Sequence, residues 1–107
     1  AAGVGLIVTG GISPNAQGVV YQGGSILAEQ EHITHHRVVT DAVHAAGGKI
    51  ALQILHAGRY SYQPHPVAPS ALQAPINRFT PHALSEAEIE STLVDFARCA
   101  QLAKESG

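Results

Sequence analysis

The sequence predicts an α/β fold built from two β/α units with parallel strands, the unit that an open doubly wound sheet shares with a (β/α)8 barrel. Three observations predict it. Apolar runs and helical patterns follow in the order strand, helix, strand, helix, which demands parallel strands and right-handed crossovers. Both strand runs are apolar on both faces, as strands covered on both sides must be. Each run also stops at a glycine-rich or polar cluster, Thr9-Gly10-Gly11 in one case and Gln53 to Arg59 in the other. In both architectures ligands gather at the C-terminal ends of the strands, so the two clusters fall side by side on the ligand face.

Taken in order, Val4 to Val8 is a short apolar run with a glycine exit and reads as the first strand. Ile12 to Leu27 contains Pro14, Asn15, Gly18, Gly23 and Gly24 and reads as a loop. A helix is expected from about Ala28 to Ala46, with Ile33, His36, Val39 and Val43 on its apolar face and Gly47-Gly48 at its end. Lys49 to Leu55 is the second strand, with Ile50, Leu52 and Ile54 pointing outward and Ala51, Gln53 and Leu55 on the other face. Ala57 to Leu84 is long and irregular and holds five of the six prolines. A loop of that length is either an ordered active-site loop or a mobile linker, and Tyr60, Tyr62, Ile76 and Phe79 are the side chains expected to pin it. The last helix has the clearest start: Ser85-Glu86-Ala87-Glu88 is a capping box. Ile89, Leu93, Phe96, Ala97 and Ala100 then form one apolar stripe, and Gly107 closes the helix.

Composition removes several classes of function. The chain has 107 residues, enough for one small domain with one core. Its net charge of −2 offers no basic surface to nucleic acid. No apolar run reaches the roughly 20 residues that span a bilayer, so no membrane partner is expected. The N-terminus lacks the basic flank and cleavage pattern of a signal peptide. A single cysteine, Cys99, excludes an internal disulfide framework and suits the cytoplasm; among apolar helix residues it reads as a buried, inert thiol.

Gln53 carries the strongest chemical signal. An amide set in an apolar, β-branched strand costs roughly 2–7 kcal/mol if it is buried without a partner. It either bonds a neighbouring loop or presents one acceptor and two donors to a flat heterocycle such as a flavin. His56 and Arg59 follow on the same face. They read either as substrate or cofactor contacts or as a structural pair, the arginine tying the long loop through backbone carbonyls. His32, His35 and His36 share one helix face, but no carboxylate or second cluster completes a metal site, and no metal is expected. Gly3-Val4-Gly5 precedes a strand instead of following one and lacks a third glycine, so it is not a dinucleotide fingerprint. Two parallel strands leave both sheet edges bare. The expectation is therefore an arc of a larger barrel, covered by the remainder of that barrel or by self-association, and marginal or aggregation-prone in isolation.

Three runs, taken together, resemble the Old Yellow Enzyme family: Gly5-Leu6-Ile7-Val8-Thr9-Gly10-Gly11, Gly47 through Arg59, and Val67-Ala68-Pro69-Ser70-Ala71 followed by Ser85-Glu86-Ala87-Glu88-Ile89. Tyr60 to His65 and Ala74 to Phe79 are similar to the bacterial NADPH-dependent 2,4-dienoyl-CoA reductases of that family. The resemblance implies that residues 1–107 are a fragment of an FMN-binding (β/α)8 TIM barrel, its second and third β/α units, with an ordered loop at about 57–84. It implies cofactor-binding roles for Gly11, against the flavin, and Gln53, at the flavin's pyrimidine edge. It implies hydride transfer from NADPH through FMN to a conjugated enoyl-CoA substrate. It places the catalytic proton donors and phosphate-binding loops on later strands, so no catalytic residue is expected here. FAD and an iron–sulfur cluster are expected only in the parent protein outside this chain, and Cys99 is not a cluster ligand. Alternatives are another flavin oxidoreductase of the family acting on small enones or amines, and a non-catalytic binding or assembly module.

Overall fold

In the computed structural model, which describes residues 3–107, β1 (Ile7–Ile12) and β2 (Ile50–Ile54) pair in parallel, and α1 (Ile33–Ala45) is the crossover between them. A second helix, α2 (Glu86–Glu105), follows β2 after a long connection that carries a pair of two-residue strands, β3 (Val67–Ala68) and β4 (His82–Ala83). The element order is the one the hydropathy pattern predicts.

The bounds of β1 are not. The expected strand, Val4 to Val8, lies three to four residues too early, and Thr9-Gly10-Gly11 is inside the strand instead of after it. Pairing decides this. The Ile7 N–H donates to the Lys49 carbonyl at 2.8 Å, and nothing in β2 extends further back to receive Val4 to Leu6. The register is Ile7 with Ile50, Val8 with Ala51, Gly11 with Gln53 and Ile12 with Ile54. Three steps on β1 from Val8 to Gly11 thus match two on β2, a bulge at the glycines. The glycine pair marks an irregularity in the strand and not its end.

Side chains alternate as expected along β2. Leu52 and Ile54 pack against a buried cluster of Ile12, Leu27, Ile33, Cys99 and Leu102, while Ala51 and Gln53 lie exposed on the other face. Burial of the Cys99 thiol pushes its pKa up, which keeps it protonated and unreactive.

α1 begins later than expected, at Ile33, after a 3-10 turn over Gln30–His32. The His32 ring closes the turn that precedes the helix. Its Nδ1 accepts from the N–H groups of Ala28 (3.2 Å) and Glu29 (3.3 Å), a cap supplied by a histidine. The C-terminus closes with Gly48 N–H on the Val43 carbonyl and Gly47 N–H on the His44 carbonyl. Ile33 is buried and His36 and Val43 are half-buried, but Val39 is 52% exposed. It borders a cavity of about 960 Å³ between α1, the sheet and α2, lined also by Ile50, Leu52, Ile54 and Ala103. α1 is held to the end of α2 largely by polar bonds. Arg37 Nη2 donates to the Glu105 carbonyl and Thr40 Oγ1 to the Ser106 carbonyl, both at 2.5 Å.

α2 starts as the capping box predicts. Ser85 N–H donates to Glu88 Oε2 at 2.7 Å, and Glu88 N–H to Ser85 Oγ at 3.3 Å. Its buried face is not the predicted stripe. Cys99, Leu102 and Ser106 are buried and Phe96 is half-buried, whereas Leu93 is 58% exposed, Ile89 and Ala97 face outward with it, and Ala100 borders the cavity. The helix carries two apolar faces, and the one with smaller side chains meets the strands.

The connection from Ala57 to Leu84 is stitched by polar side chains. Tyr60, Tyr62 and Ile76 are exposed, contrary to their expected anchoring role, and Phe79 is half-buried. Ser61, Asn77, Val67, Ala68 and Ala74 are buried instead. Ser61 Oγ donates to the Val19 carbonyl at 2.6 Å, and Asn77 Nδ2 donates to the carbonyls of Arg59 and Ser61. β3 and β4 draw the far ends of the loop together through His82 N–H on the Pro66 carbonyl and Leu84 N–H on the Ala68 carbonyl.

The capping box has a measurable signature. The Ser85 backbone N–H, its hydroxyl and the His82 ring, in that order, hold the Glu88 carboxyl down at about 2. A depressed carboxyl stabilises the fold above its unfolded pKa and loses that contribution as pH falls toward the folded value. Side-chain NMR titration should therefore show the cap intact at pH 3. Ser85→Ala keeps the backbone donor and loses the hydroxyl, so the Glu88 pKa should rise only part of the way to its ordinary range.

Candidate functional site

The C-terminal ends of β1 and β2 form one ledge. Leu55 N–H donates to the Ile12 carbonyl at 2.9 Å, carrying the pairing one residue past β2, and Ala57 N–H donates to the Gly18 carbonyl at 2.9 Å. Two loops rise from this ledge. The first, Ser13 to Leu27, returns on itself through Ser13 N–H on the Ser25 carbonyl and Leu27 N–H on the Ser13 carbonyl. The second is joined to it by Tyr62 N–H on the Val20 carbonyl and Gln63 Nε2 on the Gln17 carbonyl.

Gly11 and Gln53 stand directly opposite each other in the register. Gln53 is exposed, and its side-chain amide bonds to no other described residue; its backbone N–H donates to Thr9 Oγ1 at 3.0 Å. Val8, which is 59% exposed, and Ala51 extend the same open, apolar face. This donor set suits the edge of a flat heterocycle: one carboxamide with an acceptor and two donors, set in an apolar wall.

Gly11 has a second requirement. A Cβ there would stand 2.5 Å from Leu55 Cδ2 and 2.8 Å from Leu55 Cβ, so the neighbouring leucine already fills the space that glycine leaves. Gly11 and Leu55 also line a cavity of only about 50 Å³ with Ser13, Gly18 and Val19, too small for a ring system. At Gly10, by contrast, an added Cβ would meet nothing within 4 Å.

His56 turns inward. Its ring stacks on Phe96 of α2, with centroids 6.4 Å apart and planes at 25°, and its other side meets Gly18, where a Cβ would stand 2.6 Å from His56 Cδ2. Nδ1 accepts the Gly58 N–H at 3.2 Å; Nε2 is buried without a hydrogen-bond partner among the described residues. Burial lowers its pKa, and the Asp95 carboxylate opposes that shift. Asp95 is itself held by Asn15 Nδ2 at 2.8 Å and by Arg98 at 3.6 Å. The Arg59 guanidinium lies 6.0 Å from the Tyr60 ring centre. It does not tie the loop through carbonyls; instead its own carbonyl accepts from Asn77.

The residues that sequence reasoning missed are Leu55 over Gly11, the Asn15–Asp95 bond and the Ser61 and Asn77 stitches. Asn77 follows the Ala74-Pro75-Ile76 turn, where a buried amide is a common device for bonding loop carbonyls. The remaining three rest on contacts between residues 40 to 80 positions apart and have no local signal. Among the described residues no group of three His, Cys, Asp or Glu stands close enough to hold a metal ion, and His32, His35 and His36 do not converge. No helix of the described residues is long and apolar enough to cross a membrane.

A model of the NADH:flavin oxidoreductase / NADH oxidase family matches residues 1–107. The chain is 35% identical, over 98% of its length, to N,N-dimethylglycine/sarcosine dehydrogenase of Chromohalobacter salexigens, and 34% identical, over 97%, to NADPH dehydrogenase of Geobacillus sp.. It spans 16% and 31% of the lengths of those relatives. Among solved structures it superposes on morphinone reductase with a TM-score of 0.85 at 32% identity, covering 95% of this chain and 33% of that one. It superposes on 2-naphthoyl-CoA reductase in complex with 2-naphthoyl-CoA with a TM-score of 0.89 at 28% identity, covering 98% of this chain and 18% of that one. These structures are (β/α)8 barrels, and the strand–helix–strand–helix arc of this chain corresponds to one part of them.

The packing of Leu55 over Gly11 sets an expectation. Gly11→Val should lower stability by about 1–3 kcal/mol through overpacking, and Leu55→Ala in the same chain should recover part of that loss. Gly10→Val should cost much less. Denaturant midpoints of wild type and these three variants of the full-length protein measure all three effects.

Proposed function

This chain belongs to the NADH:flavin oxidoreductase / NADH oxidase family, and we propose that its two strand ends form the part of an FMN site that meets the flavin ring in an NADPH-dependent reductase of conjugated enoyl thioesters, 2,4-dienoyl-CoA among them. The register that sets Gly11 opposite an exposed, unoccupied Gln53 carries the reading. Bound FMN would carry hydride between nicotinamide and substrate. The chain's own residues orient and enclose. The Gln53 carboxamide offers its acceptor and donors to the pyrimidine edge of the ring. The face of Val8, Gly10, Gly11 and Ala51 has no charged group and little bulk to hold a ring away from the backbone. The two stitched loops wall the same ledge against solvent.

These residues bind and perform no proton transfer, so the acid for the substrate belongs to other strands of the barrel. FAD and an iron–sulfur cluster, where the parent protein has them, belong to segments outside these 107 residues. Residues 1–107 alone would expose the open strand face and the Leu93 side of α2, and would be inactive without the remaining barrel or a copy to cover them.

The thioester substrate class is supported by the likeness to 2-naphthoyl-CoA reductase, whose complex holds a conjugated CoA ester. A second reading, oxidation of a small amine by the same flavin face, is favoured by the 35% identity to N,N-dimethylglycine/sarcosine dehydrogenase. Assay of the full-length protein separates them. NADPH-dependent loss of dienoyl absorbance supports the first reading, and NADPH-independent turnover of sarcosine supports the second. A purified protein with no flavin absorbance would instead leave a non-catalytic module. Within either enzyme reading, Gln53→Leu should weaken FMN retention by about 1–3 kcal/mol, because it leaves the ring edge unpaired. Equal FMN affinity in the variant would remove Gln53 from the site.

A further inference from the structure

The His56 side chain touches all three elements around the ledge. Its ring sits between Gly18 of the first loop and Phe96 of α2, and its Nδ1 receives Gly58 N–H at the root of the second loop. The residues on either side of it, Leu55 and Ala57, bond to Ile12 and Gly18. Gln53 lies three residues before it and Gly11 beneath Leu55. The ring thus sits on the stretch of backbone that follows Gln53 and pairs with the end of β1.

We propose that the neutral imidazole of His56 is a clamp that closes the two strand-end loops on α2 and positions Gly11 and Gln53 for the flavin. The flavin part of this inference rests on the function proposed above. His56 is a positioning residue, since its ring faces α2 and not the open strand face. The hydrogen bond fixes its tautomer: Nδ1 accepts, so the proton sits on Nε2. Protonating Nδ1 would set a donor against the Gly58 N–H and put charge into a half-buried site. Of the charged side chains on α2 and the second loop, the one that acts on the ring is Asp95 on α2, which Arg98 partly offsets through its own pairing with that carboxylate. The first loop brings only the uncharged Ser13, Asn15 and Gly18. Asp95 favours the imidazolium, but burial is the larger effect and keeps the ring neutral.

The sign follows. The closed clamp has a lower His56 pKa than the open one, so closure is complete above the ordinary value of 6.5 and weakens as pH falls from there toward the lowered pKa. FMN affinity should follow the same course.

The test uses the full-length protein and two variants. His56→Asn can keep an acceptor near Nδ1 but cannot titrate; His56→Leu keeps bulk and removes the acceptor. FMN dissociation constants are read by flavin fluorescence across pH 5.5 to 8, and amide exchange is read for the peptide containing Gly58 in the flavin-free protein. Wild type should lose affinity below about pH 6.5. His56→Asn should bind like wild type at pH 8 with a flat profile. His56→Leu should bind about tenfold more weakly than wild type at pH 8, with a flat profile and faster exchange at Gly58. An acid-weakened profile that persists in His56→Asn, or a His56→Leu variant with wild-type affinity and exchange, overturns the clamp. A protein that retains no FMN in any form overturns the flavin reading. In that case exchange alone decides the clamp: faster at Gly58 in His56→Leu with protection kept in His56→Asn supports it, and equal exchange in all three overturns it.

Discussion

The parallel register of β1 and β2 is the constraint on which the rest depends. Once Ile7 lies opposite Ile50, a bulge at Gly10-Gly11 is needed to bring Gly11 to Gln53 and Ile12 to Ile54. Ile12 then joins Ile54 on the helix side, where Leu27, Ile33, Cys99 and Leu102 complete the core. The same bulge leaves Gly11 room for Leu55 and sends the chain into Ser13, whose bonds to Ser25 and Leu27 shape the first loop. A shift of the register by one residue would turn Gln53 into the core and Ile54 out of it. Core and site are fixed by one choice of pairing.

Much of this was legible because local signals and tertiary demands agree. The Ser85–Glu88 box, the Gly47-Gly48 stop and the alternation along Ile50 to Ile54 each appear where the sequence sets them. The family and the barrel were legible from the string of motifs. The bounds of β1 were not, since glycine in a strand looks like an exit until its partner is known. The buried face of α2 was misjudged for a related reason. Periodicity favours the bulkiest side chains, Ile89 and Leu93, whereas the strands receive Cys99 and Leu102 from the adjoining face. The long loop was misjudged because aromatic residues promise burial, yet Ser61 and Asn77 satisfy backbone carbonyls that no aromatic ring can. Gln53 stands out in an apolar strand because a buried amide needs a partner, and in this chain that amide is solvent-facing.

The ledge combines a rigid floor with walls held by single contacts. The floor is strand backbone; the walls are loops fastened by Ser61, Asn77, Gln63 and the His56 ring, each spanning at least 16 residues apart from the local bond at Gly58. Such walls can differ among family members without disturbing the strands, which is how one barrel serves unlike substrates.

The bond between Asn15 and Asp95 has a consequence during synthesis. It joins residues 80 positions apart, and Gln30 to Glu105 spans 75. The first loop cannot acquire its final partners until α2 has left the ribosome. At roughly 5–20 residues per second, that is a wait of several seconds with β1 made and its neighbours missing. Contacts of such long range also make the folding step itself slow. Of the β1 side chains, Ile12 is the one that waits for the last helix, because Cys99 and Leu102 complete its burial.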